Sequence, residues 1–195
     1  MAVIYAPFSL DRMVSAVEKV RQRLLRAARA LDAGGIPYAV AGGNAIAAWV
    51  TRVDEAAVRN TRDVDIMIRR TDLNAVKTAL ESAGFIHRRT AGVDIFLDGP
   101  GSSVRDAVHI IYAGEMVRPH EALPNPEIER SERADEFQIL DLEALVQIKL
   151  TAFRDKDRTH LRDLLEVGLV DATWCARFPA QLAERLQQLV DTPEG

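Results

Sequence analysis

The chain has 195 residues, 48% of them apolar and 28% charged, with a net charge of −4 at pH 7. That is enough apolar material for one domain with a real core, or a domain plus a small helical extension, and the acidic balance excludes a general nucleic-acid coat or a binder of anionic membranes. One cysteine, Cys175, excludes an internal disulfide; with no membrane-length apolar run and no secretion signal in MAVIYAPFSLDRM, a reducing cytoplasm is the expected compartment.

The first predicted element is a long amphipathic helix. Leu10, Met13, Val14, Val17, Val20, Leu24 and Leu31 recur at helical spacing, Ser9 can cap the start, and Gly34-Gly35 ends it. Residues 36–41 read as a short apolar strand running into Gly42-Gly43, and the alanine-rich stretch 44–50 reads as a helix. Residues 51–62 are polar and read as a loop, and 63–69 as a strand. Thr71-Asp72 then caps a helix reaching Ala83, with Leu73, Val76 and Leu80 on one stripe. Short strands are expected at 85–89, 93–97 and 104–112, the second ended by the turn signal DGPGSS. Residues 117–136 hold three prolines and many charges and are expected as a long surface loop. Helices at 142–153, 159–167 and from about 179 to 190 close the chain, with Pro179 suited to a first turn. The order predicts an α/β (α+β) fold, a mixed sheet flanked by helices over residues 1–138. A C-terminal helical part, residues 139–195, packs on it, and the two also read as a single domain.

Two stretches concentrate the chemistry. A strand that ends in Gly42-Gly43 and enters a helix can bring bare backbone N–H groups to an anion; the same pair also serves as a plain tight turn, with Asn44 as a side-chain donor or a helix cap. In TRDVDIMIRR, residues 61–70, Asp63 and Asp65 lie on one face of a strand, about 7 Å apart. Two such carboxylates repel unless a cation sits between them. They read either as a solvated strand end or as a magnesium platform, since Mg²⁺ usually takes one or two carboxylates plus substrate phosphates. Val64, Ile66 and Ile68 would pack the opposite face into the core.

Together these units, standing as Val40-Ala41-Gly42-Gly43 and Asp63-Val64-Asp65-Ile66, resemble the nucleotidyltransferase superfamily with the DNA polymerase β-like fold. AGGNAIAAWV…RNTRDVDIMI looks like the bacterial branch of uncharacterised and AbiEii-like toxin nucleotidyltransferases. FQILDLEALVQIKLTAFRDKDRTHLRDL is similar to the helical part of that branch, and the resemblance spans roughly residues 36–165. It implies metal-dependent transfer of a nucleotidyl group from a nucleoside triphosphate to a hydroxyl of a small molecule, a protein or a tRNA. Asp63 and Asp65 would hold Mg²⁺ or Mn²⁺, Gly42 and Gly43 would cradle the triphosphate, and Lys149 could reach the phosphates; otherwise Lys149 reads as a solvated helix lysine. Thr61 and Arg62 flank the site, Arg62 as a phosphate contact or as half of a surface ion pair.

The resemblance breaks at one point. A third carboxylate is expected on the strand 104–112, and His109 stands there instead. Neutral imidazole suits zinc, copper or nickel better than magnesium; His109 can act as a base near neutral pH or be a half-buried strand residue. Asp94 and Asp98 are alternative acids, and Asp106 is another, on the opposite face from His109 by strand parity. Two functions therefore stay open: an active enzyme, or a catalytically inactive binding protein of this fold, such as a toxin–antitoxin component with an antitoxin partner or a homodimer. No membrane partner is expected. His87, His120 and His160 lack metal-ligand spacing. Arg69-Arg70 and Arg88-Arg89 read as solvated strand ends, Cys175 as a packing residue, and Trp49 and Trp174 as core or interface anchors.

Overall fold

The computed structural model describes residues 9–194; Gly195 and the stretch 1–8, in which no secretion signal is read, lie outside the described residues. The apolar stripe forms α1 (Leu10–Ala33), which buries Leu24, Ala27, Ala28 and Leu31 and leaves Leu10, Met13, Val14 and Val17 exposed. Ser9 makes no side-chain cap bond, and the Gly34 N–H closes the helix on the Ala30 carbonyl. β1 (Tyr38–Ala41) is buried throughout, and α2 (Gly42–Thr51) begins on the glycines themselves, two residues before the expected start. β2 (Val64–Ile68) follows. A short 3-10 turn, Arg70–Asp72, replaces the expected cap and leads into α3 (Leu73–Ser82). β3 (Ile86–Thr90), β4 (Val93–Leu97) and β5 (Ala107–Tyr112) match the expected strands, except that Val104–Asp106 is a 3-10 turn.

Two strands arise where none is expected. β6 (Ser131–Ala134) lies in the segment read as loop, and β7 (Phe137–Leu140) follows it. SERA and FQIL are too short for a period-2 pattern to stand out, so they are set by their partners. β6 pairs antiparallel with β7, and β7 pairs parallel with β1 at Val40↔Ile139. α4 (Leu142–Ala152), α5 (Asp155–Glu166) and α6 (Ala180–Asp191) complete the chain. α5 starts at Asp155 rather than residue 159 because charge, not apolar periodicity, begins it: Asp157 accepts from both the backbone N–H and the guanidinium of Arg154.

The seven strands form one mixed sheet in the order β3-β4-β5-β2-β1-β7-β6, flanked by helices as the sequence predicts. β2 runs antiparallel to β1 and parallel to β5. α1 packs with α3, while α2, α4, α5 and α6 form a second group. One apolar cluster runs from Leu24 on α1 to Leu189 on α6, and residue 138, where the sequence reading divides the chain, lies within β7. Trp49 donates its indole N–H to the Leu140 carbonyl at 3.1 Å and so ties α2 to the end of β7. No helix among the described residues is long and apolar enough to cross a membrane.

Ile139 is fully buried where β7 meets β1. Ile139→Ala should cost about 2–5 kcal/mol in urea unfolding. Because the core is shared, Trp49 and Trp174 fluorescence and far-UV circular dichroism should shift together; separate transitions would reveal a helical part that unfolds on its own.

Candidate functional site

Asp65 sits on β2 between the fully buried Val64 and Ile66, so its side chain faces the opposite side of the sheet from theirs. That side carries a cleft of about 430 Å³ lined by Gly43, Asn60, Thr61, Arg62, Asp63, Asp65, Lys149, Lys156 and His160. Sequence pairing of Ala41 with Asp65 sets the carboxylate beside the start of α2. Gly42 has φ +63°, and a Cβ on it would meet Asp65 Oδ2 at 1.9 Å; a Cβ on Gly43 would meet Thr61 Oγ1 at 2.6 Å. The two glycines thus make room for a carboxylate and a hydroxyl from the neighbouring strand and loop, at a helix N-terminus that favours negative charge. Gly43 lines the cleft, while the space above Gly42 is taken by Asp65. Asn44 donates its amide to the Asp63 carbonyl at 2.7 Å, which holds the start of β2 against α2.

His109 lies opposite Asp65 in the parallel register of β2 and β5, with Nδ1 3.6 Å from Asp65 Oδ1. Burial pushes the Asp65 carboxyl upward, but the His109 imidazole and the charges of Lys156 and Lys149 outweigh it and hold the group below the usual carboxylate range. The same contact lifts His109 above the ordinary imidazole value, against its own burial. The three alternative acids are committed elsewhere. Asp94, 1% exposed, accepts from Tyr112 Oη at 2.7 Å and pairs with His87 Nε2 at 2.8 Å. Asp98 pairs with Arg23 and Arg26, and Asp106 lies 3.8 Å from Arg23. None of them lines the cleft.

The opposite wall is cationic. Lys149, on α4, is not a solvated helix lysine: its side chain is 4% exposed and its Nζ lies 3.0 Å from Asp157 Oδ1. Burial pulls its pKa down and Asp157 resists. Asp157 is in turn held by Arg154 Nε at 2.7 Å. Lys156, in the first turn of α5, reaches Asp63 Oδ2 at 3.6 Å. Arg62 is exposed at the cleft with no carboxylate partner among the described residues, so its surface ion pair does not form. Arg59 makes two bonds to the buried Asp163, at 2.9 and 3.1 Å, and fastens this loop to α5. His160 has a buried Nδ1 without a hydrogen-bond partner; burial, with help from Lys149, brings its pKa down to about 4. Sequence reasoning did not place Lys156, His160, Asn60, Arg154 or Asp157 at the site. One signal was present, since Lys156 and His160 stand at i and i+4 and share a helix face.

Among the described residues no cluster of three His, Cys, Asp or Glu side chains is arranged to hold a metal ion. Two carboxylates on one cleft fit a hard divalent cation that completes its shell with water and phosphate oxygens. An imidazole in the third position does not add a magnesium ligand.

Gly42→Ala should destabilise the protein by at least about 1 kcal/mol through its positive φ alone, and by more through collision with Asp65. In urea unfolding, Asp65→Ala added to the same chain should recover most of the collision part, since only the residue-65 Cβ stays close, at 3.0 Å, and should leave the backbone part. His160 sets a pH dependence. Its folded pKa, about 4, lies below its unfolded value of 6.5, so its contribution is complete above 6.5 and is lost as the pH falls toward 4. His160→Phe should flatten the stability curve across that window; an unchanged slope would remove His160 as its source.

No curated protein matches the chain. Several solved structures share its fold. An antigenic nucleotidyltransferase-like protein from Paracoccidioides brasiliensis is 18% identical with a TM-score of 0.57, covering 95% of this chain and 90% of that one. The antibiotic-resistance factor ANT(2'')-Ia is 16% identical with a TM-score of 0.50, covering 93% and 92%. JHP933 from Helicobacter pylori is 18% identical with a TM-score of 0.50, covering 94% and 75%. Identities this low speak to fold alone. The family described as uncharacterised nucleotidyltransferase matches residues 10–151, which span the sheet, the paired aspartates, His109 and Lys149, and the chain belongs to that family.

Proposed function

We propose that the chain transfers a nucleotidyl group from a nucleoside triphosphate to a hydroxyl acceptor, with Mg²⁺ or Mn²⁺ held by Asp63 and Asp65. The observation that carries this reading is the charge pattern of one cleft: two carboxylates on one wall, with Lys149, Lys156 and Arg62 around them. A triphosphate needs both, a metal platform for its oxygens and fixed cations for the remaining charge. When bound, the divalent ion supplies Lewis-acid polarisation of the phosphoryl oxygens. The acceptor oxygen forms a bond to the α-phosphorus, the bond from that phosphorus to the pyrophosphate oxygen breaks, and the hydroxyl proton passes to a base. His109, 3.6 Å from Asp65 Oδ1 but outside the cleft lining, would take that proton in its neutral form, which a divalent cation on Asp65 would favour by cancelling the charge that raises the imidazole pKa. Lys149 serves as a rigid phosphate partner because Asp157 and Arg154 fix it. Gly43 and Thr61 form the floor beside the N-terminus of α2.

One observation favours a second reading, binding without transfer. An imidazole stands beside Asp65 where the resemblance implies a third acid, so the cleft offers two carboxylates where a two-metal clamp would draw on three. Label transfer separates the two. The protein is incubated with each α-labelled triphosphate, Mg²⁺ or Mn²⁺, and cell extract with or without nuclease. Wild type should give a labelled acceptor, and Asp63→Asn should reduce the label by about 100-fold or more. Nuclease sensitivity would identify an RNA acceptor. No label, with metal-dependent triphosphate binding intact, would establish the binding protein.

A further inference from the structure

We infer that Lys156 is an exchangeable counter-charge, which pairs with Asp63 and is passed to the triphosphate when a divalent cation takes Asp63. The inference rests on the reading of the cleft as a metal–triphosphate site. It starts from two lysines in the same cleft that are held differently. Lys149 is 4% exposed and locked 3.0 Å from the fully buried Asp157, so its position cannot change without unpairing a buried charge. Lys156 is 52% exposed, and its ion pair is with Asp63, 37% exposed, at 3.6 Å. That distance is longer than a good charge-assisted hydrogen bond, and a pair this exposed is weak and readily exchanged. The lysine stem is flexible and carries three donors in a compact head. Its base is fixed, because Asp155–Glu166 is helical from the preceding residue and Asp157 is clamped by Arg154. The head can therefore swing within the cleft while the backbone stays in place.

The competition follows from charge. Asp63 is both the partner of Lys156 and half of the carboxylate pair, and Lys156 also helps hold the Asp65 carboxyl below its usual range. A divalent cation at these carboxylates takes the same negative charge and repels the ammonium. The other anion that enters the cleft is the triphosphate, so the displaced ammonium finds its partner there. Lys156 then opposes the cation when the cation binds alone and supports it when triphosphate binds as well. It is a positioning residue that couples the two ligands.

The coupling has two readouts of opposite sign. Binding is measured by calorimetry with Mn²⁺ alone, and with inorganic triphosphate at saturating Mn²⁺, for wild type, Lys156→Ala and Lys156→Arg; thermal melting checks that each variant is folded. Lys156→Ala should bind Mn²⁺ alone about two- to fivefold more tightly, because an exposed ion pair no longer competes. It should bind triphosphate about 10- to 100-fold more weakly, because a charge-assisted bond is lost. Lys156→Arg should stay close to wild type on both. Tighter Mn²⁺ with unchanged triphosphate would make Lys156 a mere partner of Asp63, and weaker triphosphate with unchanged Mn²⁺ would make it a simple phosphate contact; either result overturns the exchange. Failure of wild type to bind triphosphate with Mn²⁺ would overturn the reading of the cleft itself and the exchange with it.

Discussion

The carboxylate of Asp65 is pressed against the first residue of α2, and the site is arranged around that close approach. The space it occupies is the one a Cβ on Gly42 would fill, 1.9 Å from Oδ2. Antiparallel pairing of Ala41 with Asp65 brings strand and turn together, and parallel pairing of Asp65 with His109 adds the imidazole from the other side. Three strands and one helix thus converge on a single acidic group. The positive φ of Gly42 lets α2 start immediately after β1, so its N-terminus faces the carboxylate rather than solvent. The low pKa of Asp65 follows from this placement: desolvation pushes it up, and the contact with His109 and the charges of Lys156 and Lys149 outweigh that push.

The second half of the site comes from the C-terminal helices, held to the first half by buried charge as well as apolar packing. Lys149 on α4 and Asp157 on α5 form a buried pair, and Arg154 supplies a further bond to the same carboxylate. Burying such a pair gains little net stability, but removing one partner would strand the other charge, so the network specifies the relative position of α4 and α5. Arg59 and Asp163 do the same for the loop that carries Asn60, Thr61 and Arg62. The cleft is therefore walled by a buried, pinned cation, Lys149, and by two exposed ones, Lys156 and Arg62. The division suits a ligand whose charge must be both positioned and admitted.

The structures that share this fold are 16–18% identical to the chain, so what persists among them is the sheet and its flanking helices. Folds of this kind host different substrates through changes at the site. In this chain an imidazole, His109, lies beside Asp65 on the neighbouring strand. The Asp94–His87–Tyr112 cluster resembles a catalytic arrangement in composition, yet it lies on the other face of the sheet, buried among β3, β4 and β5. Its hydrogen bonds satisfy a carboxylate that would be costly to bury alone.

Local pattern alone revealed a good part of this protein. The strand entering Gly42-Gly43 and the alternation that puts Asp63 and Asp65 on one face are readable from short-range periodicity, because strand parity and glycine turns are properties of neighbouring residues, whereas the place of His109 beside them was expected only from the family resemblance. β6 and β7 were not readable, since four-residue strands owe their existence to partners far along the chain. The start of α5 escaped because a charge network opens it. Only the tertiary structure decided that Asp94, Asp98 and Asp106 are taken by other partners, that Lys149 is buried rather than solvated, that Lys156 reaches Asp63, and that His160 lines the same cleft. Each of those outcomes depends on which groups meet across large sequence separations, and a linear pattern of residue types does not carry that pairing.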